Sequence, residues 1–272
     1  MSSCTCGHHH YHPAAACDDT GTPIALDRPM IALTGRLICA GTAEMLTALT
    51  LLPDHSRLSR AEPGNLRFDL AQSEDPMVWT LDELFADAEA YAAHQARMKA
   101  SDWGRSSTGI RRDFTRSEVI PYLRAETPAD QQAIHALNLA AFGGADEAVL
   151  VDALRRDGDL NLSLVAAQGG TILGHLALSP ISAPFPALAL APVAVAPALH
   201  GRGIGSALIR AAIAARPGYS LILLGDPAYY SRFGFQPVEL KSPYAGPYLQ
   251  AIGAGLQPGA TITHAPAFAA LG

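Results

Sequence analysis

The stretch LAPVAVAPALHGRGIGSALIRAAIAA, Leu190 to Ala215, decides how this chain is read. The apolar run ending at Val195 predicts a strand, Pro197 and the glycine cluster from His200 to Gly205 a tight turn, and the residues up to Ala215 a helix. Ile204, Leu208, Ala211, Ala212 and Ala215 recur on one face of that helix, and Pro217 with Gly218 stops it. Gly201, Gly203 and Gly205 permit positive φ and carry no Cβ, so the N–H groups ahead of the helix can converge on an anion. Such a turn suits a packing role as well as a phosphate, and the surrounding chain has to decide.

Composition narrows the field. The 272 residues suffice for two ordinary domains, and 49% of them are apolar. The net charge of −6 divides as 11 basic against 15 acidic residues up to Ser117 and 8 against 10 from Glu118 onward. Neither half is basic, which argues against a nucleic-acid partner. No run approaches the roughly 18 to 20 apolar residues of a membrane span, and the N-terminus lacks an apolar signal core, so a cytoplasmic location is expected.

Residues 1–29 form a Cys/His-rich segment without periodicity, read as a disordered tail. Cys4, Cys6, His8, His9, His10, His12 and Cys17 place seven soft or borderline ligands within 14 residues. Thiolate and imidazole together suit zinc or copper, and Cys4, Cys6, His8 and His10 are the candidate ligands. An accidental affinity of a solvated tail stays open beside that.

From Met30 the pattern runs strand, helix, strand, strand, helix, strand. Ile31, Leu33 and Leu37 alternate with Ala32, Thr34 and Arg36, a first strand. Thr42 is expected to cap the first helix, with Glu44 in its first turn, and Pro53 to kink or restart it. The strands Asn65–Ala71, Met77–Leu84 and Ile110–Thr115 and a second helix from about Asp87 to Lys99 complete a split βαβ, ferredoxin-like order.

Residues 30–117 resemble the antibiotic-biosynthesis-monooxygenase family. The resemblance rests on the turn Ala61 to Phe68, the strand end Asp82-Glu83-Leu84-Phe85, and Ala92 to Arg97 on the second helix. It implies a domain of the dimeric α+β barrel type, hence a homodimer, and in some members a metal- and flavin-free oxidation of quinols. Glu83 and His94 fall on motif positions. The heme-degrading branch uses Asn, Trp and His; the first strand here has no Asn, and Phe85 stands where a Trp would close the third.

The second half, residues 118–272, begins with a strand over Val119–Ala125. A helix comes next, with Thr127 as N-cap and Pro128 at its first position, and then a second from Glu147 to Arg155. A hairpin turns at Gly169-Gly170, with His175, Ala177 and Ser179 on one face of its second strand. After the glycine helix come a strand, Tyr219–Leu224, and the segment Gly225 to Phe235, with short strands near Pro247–Ile252 and Ala260–His264.

Val195-x-Pro197, the glycine turn with Leu208, and Tyr230 ahead of Gly234-Phe235 together resemble the GCN5-related N-acetyltransferases, a mixed α/β fold. The resemblance implies acetyl-CoA as cosubstrate and an amine as acceptor. It places the coenzyme pyrophosphate at the turn His200, Gly201, Arg202, Gly203, Ile204 and Gly205, with the N–H groups of Arg202 to Gly205 as its donors. Pantetheine would pair with the strand Val193-Ala194-Val195, one N–H of which would stabilise the oxyanion. Tyr230 would return a proton to the leaving thiolate, an uphill step of about 1.5 pKa units at reference values. His200 departs from the Gln or Arg usual in the family; its reference pKa of about 6.5 would make coenzyme affinity decline between about pH 6 and 8. Glu147, His175 and Asp226 are candidate bases. Three readings are open: an N-acetyltransferase with a dimerising first domain, a bifunctional protein whose first domain is a cofactor-free quinol-type monooxygenase, and a non-catalytic acetyl-CoA- or metal-sensing module.

Overall fold

The structure is a computed structural model that describes residues 21–270. The candidate metal ligands Cys4, Cys6, His8 and His10 lie outside the described residues.

In chain order the elements are β1 (Thr22–Pro23), β2 (Met30–Ile38), α1 (Thr42–Arg60), β3 (Asn65–Gln72), β4 (Val78–Phe85), α2 (Ala88–Ala100), α3 (Asp102–Ser106), β5 (Arg111–Val119), β6 (Tyr122–Ala125), α4 (Gln131–Phe142), α5 (Asp146–Asp157), β7 (Leu162–Gln168), β8 (Thr171–Ser182), β9 (Ala187–Val195), α6 (Ile204–Ala215), β10 (Ser220–Leu224), α7 (Pro227–Tyr230), β11 (Gln236–Pro237), β12 (Leu249–Ile252) and β13 (Thr263–His264). No helix among the described residues is long and apolar enough to cross a membrane.

The first domain is a four-stranded antiparallel sheet in the order β3-β4-β2-β5, the ferredoxin-like arrangement. Ile31, Leu33, Phe68, Leu81 and Phe85 form the core on its helix-covered face. Two local expectations change. Thr42 is the first helical residue rather than the cap: Gly41 takes the cap position without a side-chain bond, and Glu44 Oε2 accepts from Ala40 N at 2.7 Å instead. Nor does Pro53 interrupt α1. The carbonyl that loses its partner belongs to Leu49, 46% exposed, where water can replace the bond.

The second sheet runs β1-β6-β7-β8-β9-β10-β12-β11, with β13 on β8. Part of the segment expected to be unstructured belongs to it. Thr22–Pro23 pairs with β6, and Ile24 is buried with its N–H on the Pro121 carbonyl. The free edge of β6 recruits that strand, too short to leave a periodic signal. Likewise β5 extends past Thr115 to Val119, held by Met30 across the sheet, so that Ile120–Pro121 is all that separates the two sheets.

The two halves share one core. Met30, Ala32, Leu84 and Ala86, on the side of the first sheet away from its helices, pack with Leu164, Leu176, Leu188 and Leu208 of the second half. Arg67 of β3 ties the joint at its rim: Nη1 donates to the Gly169 carbonyl at 2.8 Å and to Thr171 Oγ1 at 2.7 Å, while Nη2 pairs with Asp82 at 2.7 Å. Replacing Leu84, which is fully buried in this shared core, should therefore weaken both halves together. Leu84→Ala is expected to cost about 2–5 kcal/mol and to shift a single urea transition read by both Trp fluorescence and far-UV circular dichroism; two separated transitions in the wild type would contradict the shared core.

Candidate active site

The site begins where β9 leaves its neighbour. β9 pairs in parallel with β10 only from Ala187 to Ala189, against Ser220–Ile222, and beyond that the strands part. Its other edge stays on β8 to Val195, with a bulge between Leu190 and Val193. Ala196 N donates to Leu173 O at 2.9 Å, so strand alternation turns the main-chain groups of Val193 and Val195 to the parted side. His200 Nε2 donates to the Val195 carbonyl there at 2.9 Å. Because a carbonyl only accepts, Nε2 carries its hydrogen in this bond, and His200 ties turn to strand through it.

Gly201 and Gly203 adopt φ of +76° and +90°, and a Cβ on either would meet nothing within 4 Å, leaving the space before the turn open. Among the described residues, the N–H groups of Gly203, Ile204, Gly205 and Ser206 have no backbone acceptor. These are the unpaired donors every helix start carries, and the α6 dipole adds to their pull on an anion. Arg202 gives its main chain to the turn, but its side chain, 5% exposed, runs away into the first domain.

Together these groups floor a cleft of about 440 Å³. Val193, Val195, Phe142, Tyr229, Tyr230 and Arg232 line it together with the turn. The close approach of Tyr230 requires Gly225, where a Cβ would come within 2.2 Å of the ring. Burial, and then Tyr229, push the Tyr230 phenol up to about 12. The Tyr229 hydroxyl sits over Gly205, and Arg232 stacks 4.7 Å from the Tyr229 ring centroid. Sequence reasoning misses Phe142, Tyr229 and Arg232 as site residues, although two of them lie inside the Gly225–Phe235 segment.

The remaining candidates stand elsewhere. Ala194 is buried on the opposite face of β9, packed with Val165 and Ala167. His175, its cross-strand partner, is fully buried on that same face, its ring nitrogens meeting Ser163 Oγ at 3.0 Å and Asn138 Nδ2 at 3.4 Å. Burial lowers its pKa to about 4. Glu147 is in the first turn of α5, and Asp226 caps α7 through Ala228 N. None of these four lines the cleft. Among the described residues no cluster of three His, Cys, Asp or Glu side chains is arranged to hold a metal.

The first domain has a cavity of its own, about 240 Å³, between its sheet and helices. Phe68, Tyr91 and Trp103 line it, with His55, Glu83, His94 and Arg112. Glu83 is 1% exposed and neither oxygen has a hydrogen-bond partner. Burial, and then Glu62, raise its pKa to about 8, so the carboxyl is largely protonated at neutral pH. His94 Nε2 lies 3.5 Å from it, while His94 Nδ1 meets Glu62 at 2.8 Å and Arg97 Nε donates to the same carboxylate at 2.7 Å. Glu83 and His94, picked out by motif position, are therefore adjacent and both on the cavity wall.

A mixed sheet parted beside an anion-binding helix start is the architecture expected of an acetyltransferase of the GCN5-related type. The family model for the acetyltransferase (GNAT) domain matches residues 159–237, and that for antibiotic biosynthesis monooxygenase matches residues 43–105. Over 121 residues the chain is 39% identical to the uncharacterized N-acetyltransferase YhbS of Escherichia coli K12, covering 42% of this chain and 72% of the relative. It is 33% identical over 131 residues to the uncharacterized N-acetyltransferase YjhQ of the same strain, covering 44% and 72%. The crystal structure of E. coli YhbS in complex with CoA superposes with a TM-score of 0.52 at 30% identity, over 56% of this chain and 93% of that one. The chain belongs to the GNAT N-acetyltransferase family and carries an antibiotic-biosynthesis-monooxygenase-like domain ahead of the acetyltransferase domain.

Glu83 gives the cavity a measurable signature. A carboxyl whose pKa is higher folded than unfolded supports folding fully below about 4.5 and loses that support as pH rises through about 8. The wild-type Tm should fall across that window beyond any fall in Glu83→Gln, whose side chain cannot ionise. Parallel melting curves from pH 5 to 9 would place the Glu83 carboxyl in an ordinary environment.

Proposed function

We propose that the protein transfers the acetyl group of acetyl-CoA to an amine of a small molecule or peptide by direct attack. The observation that carries this reading is the parted β9–β10 pair opening onto the α6 helix start, with Tyr230 across the cleft. Acetyl-CoA would supply the acyl group as a thioester, held by the free N–H groups of Gly203 to Ser206 at its pyrophosphate and by the Val193–Val195 edge along its pantetheine. The site fits those two needs: open space before Gly201 and Gly203, and an extended strand edge no longer paired with β10, on which only the Val195 carbonyl is taken, by His200.

One N–H of Val193–Val195 would stabilise the negative charge that develops on the carbonyl oxygen. Tyr230 would hold a proton at Oη for the departing sulfur while the amine releases its own to water, so that one proton leaves and one is delivered. A phenol raised to about 12 is a weaker donor than tyrosine in water. A thiolate leaving into the same apolar cleft is raised too, which narrows the mismatch. Among the described residues, the cleft lining holds no carboxylate and no imidazole besides His200, whose Nε2 is committed to Val195.

A second reading is favoured by the first-domain cavity: a cofactor-free oxidation of a quinol there, which would make the chain bifunctional. Homodimerisation through that domain is also proposed. It would have to use the polar part of the open sheet face, where Arg36 and Asp113 pair at 3.4 Å, because the apolar part is covered by the second half. Zinc or copper on Cys4, Cys6, His8 and His10 stays a proposal from sequence.

The test is free-thiol release from acetyl-CoA across a panel running from simple amines to peptides. With an accepted amine, Tyr230→Phe should lower kcat by about 10²-fold with little change in KM for acetyl-CoA. Full kcat in that variant would remove Tyr230 from the reaction, CoA binding without turnover would favour a sensing role, and oxygen uptake with a quinol, lost in Glu83→Gln, would add the second activity.

A further inference from the structure

Arg202 stands between the two left-handed glycines of the turn, and its two ends serve different domains. The main chain belongs to the turn, with its N–H on the Leu199 carbonyl at 3.4 Å. The guanidinium enters the first domain, where Nη1 donates to the Ala86 carbonyl and Nη2 to the Arg28 carbonyl. Nε lies 3.5 Å from Asp27 Oδ1, and Nη1 lies 3.9 Å from Asp87 Oδ2. All four partners belong to the first domain and its lead-in.

The socket is itself anchored. Asp87 accepts from the N–H groups of Glu89 and Ala90 at 3.0 and 2.9 Å, fixing the start of α2, and pairs with Arg28 at 3.3 Å. Ala86 packs in the core shared by the two halves. A guanidinium only 5% exposed and bonded to two carbonyls cannot leave without breaking both bonds and stranding the buried Ala86 acceptor. Its main chain, by contrast, is flanked by Gly201 and Gly203, the residues with the most conformational freedom to lose when the turn is ordered. A turn of this composition, left to itself, would pay that entropy on binding; held at its centre, it is ordered beforehand.

We infer that the first domain is a positioning element of the coenzyme site: its carbonyls at Arg28 and Ala86 grip the Arg202 side chain and hold the glycine turn in its anion-binding shape before the coenzyme arrives. This rests on the coenzyme reading above. Coupling of this kind is reciprocal, so coenzyme should in turn tighten the socket.

The experiment titrates CoA into the full-length protein by calorimetry, with hydrogen exchange followed at residues 87–91. Arg202→Met keeps the stem and removes the donors; it should raise the Kd for CoA about tenfold, with KM for acetyl-CoA rising and kcat within about a factor of two. CoA should slow exchange at Glu89 and Ala90 in the wild type and not in Arg202→Met, a difference that general destabilisation would not produce. Asp27→Asn weakens the socket without touching the turn and should raise Kd about twofold. Were the guanidinium instead drawn to the coenzyme's phosphates, Asp27→Asn would release it and lower Kd. The inference is overturned by a wild-type Kd in a folded Arg202→Met, by tighter binding in Asp27→Asn, or by CoA leaving exchange at 87–91 unchanged in the wild type. If Arg202→Met does not fold, the last two measurements decide. Failure of the wild type to bind CoA at all would instead refute the coenzyme reading.

Discussion

The parting of β9 from β10 after Ala189 is the constraint on which the rest of the site depends. A strand in the middle of a sheet has both edges bonded, and a bonded edge has nothing to offer a ligand. Once the neighbours separate, the main-chain groups of Val193 and Val195 face a gap inside the protein, where unpaired amides are costly. The same separation leaves room for the start of α6, whose residues Gly203 to Ser206 line the cleft. It also lets the segment after β10 fold back across the opening, where the absence of a Cβ at Gly225 admits Tyr230. Strand edge, open helix start and phenol are thus three results of one interrupted ladder.

The second constraint is the shared core. A ferredoxin-like sheet has one face covered by its helices and one open face that has to be buried or made polar. Here that open face is divided. Its end at Met30, Ala32 and Leu84 is apolar and closed by the acetyltransferase half, while the end at Arg36 and Asp113 is charged and exposed. The chain therefore satisfies internally much of what a separate domain of this shape would seek in a partner. The result is contact between the domains at several levels: buried leucines, Arg67 at the hairpin of β7 and β8, and Arg202 at the turn.

What the sequence disclosed and what it hid divide along the range of the interactions. Alternation in Ile31–Leu37, the glycine hairpin at 169–170, and the turn from His200 to Gly205 are local signals, and the elements they specify are present. The cleft residues from Val193 to Gly205 and Tyr230 were legible because a spaced motif carries its own geometry; Ala194, within that run, faces the other way. Pro53 carried a strong local rule that failed because its missing bond falls on the wet side of α1. The strand at Thr22–Pro23, the pairing of His94 with Glu62 and Glu83, and the direction of the Arg202 side chain depend on residues brought together only by the fold. His175 shows the converse error: a histidine that looked available in sequence is enclosed between the sheet and α4.

The hydrogen bonds that receive Arg202 come from peptide carbonyls, which every residue type provides. The exposed side chain at position 28 can therefore drift through evolution without altering its acceptor, so long as the chain keeps its path, whereas the shared core confines Ala86. Position 202 has no such latitude, because few side chains combine that reach with two donors in a plane. The joint is consequently asymmetric in its tolerance of mutation: one partner is defined by side-chain chemistry, the other by backbone trace with the carboxylates of Asp27 and Asp87 beside it. Homologues of this two-domain arrangement would then keep the arginine and the loop lengths around it.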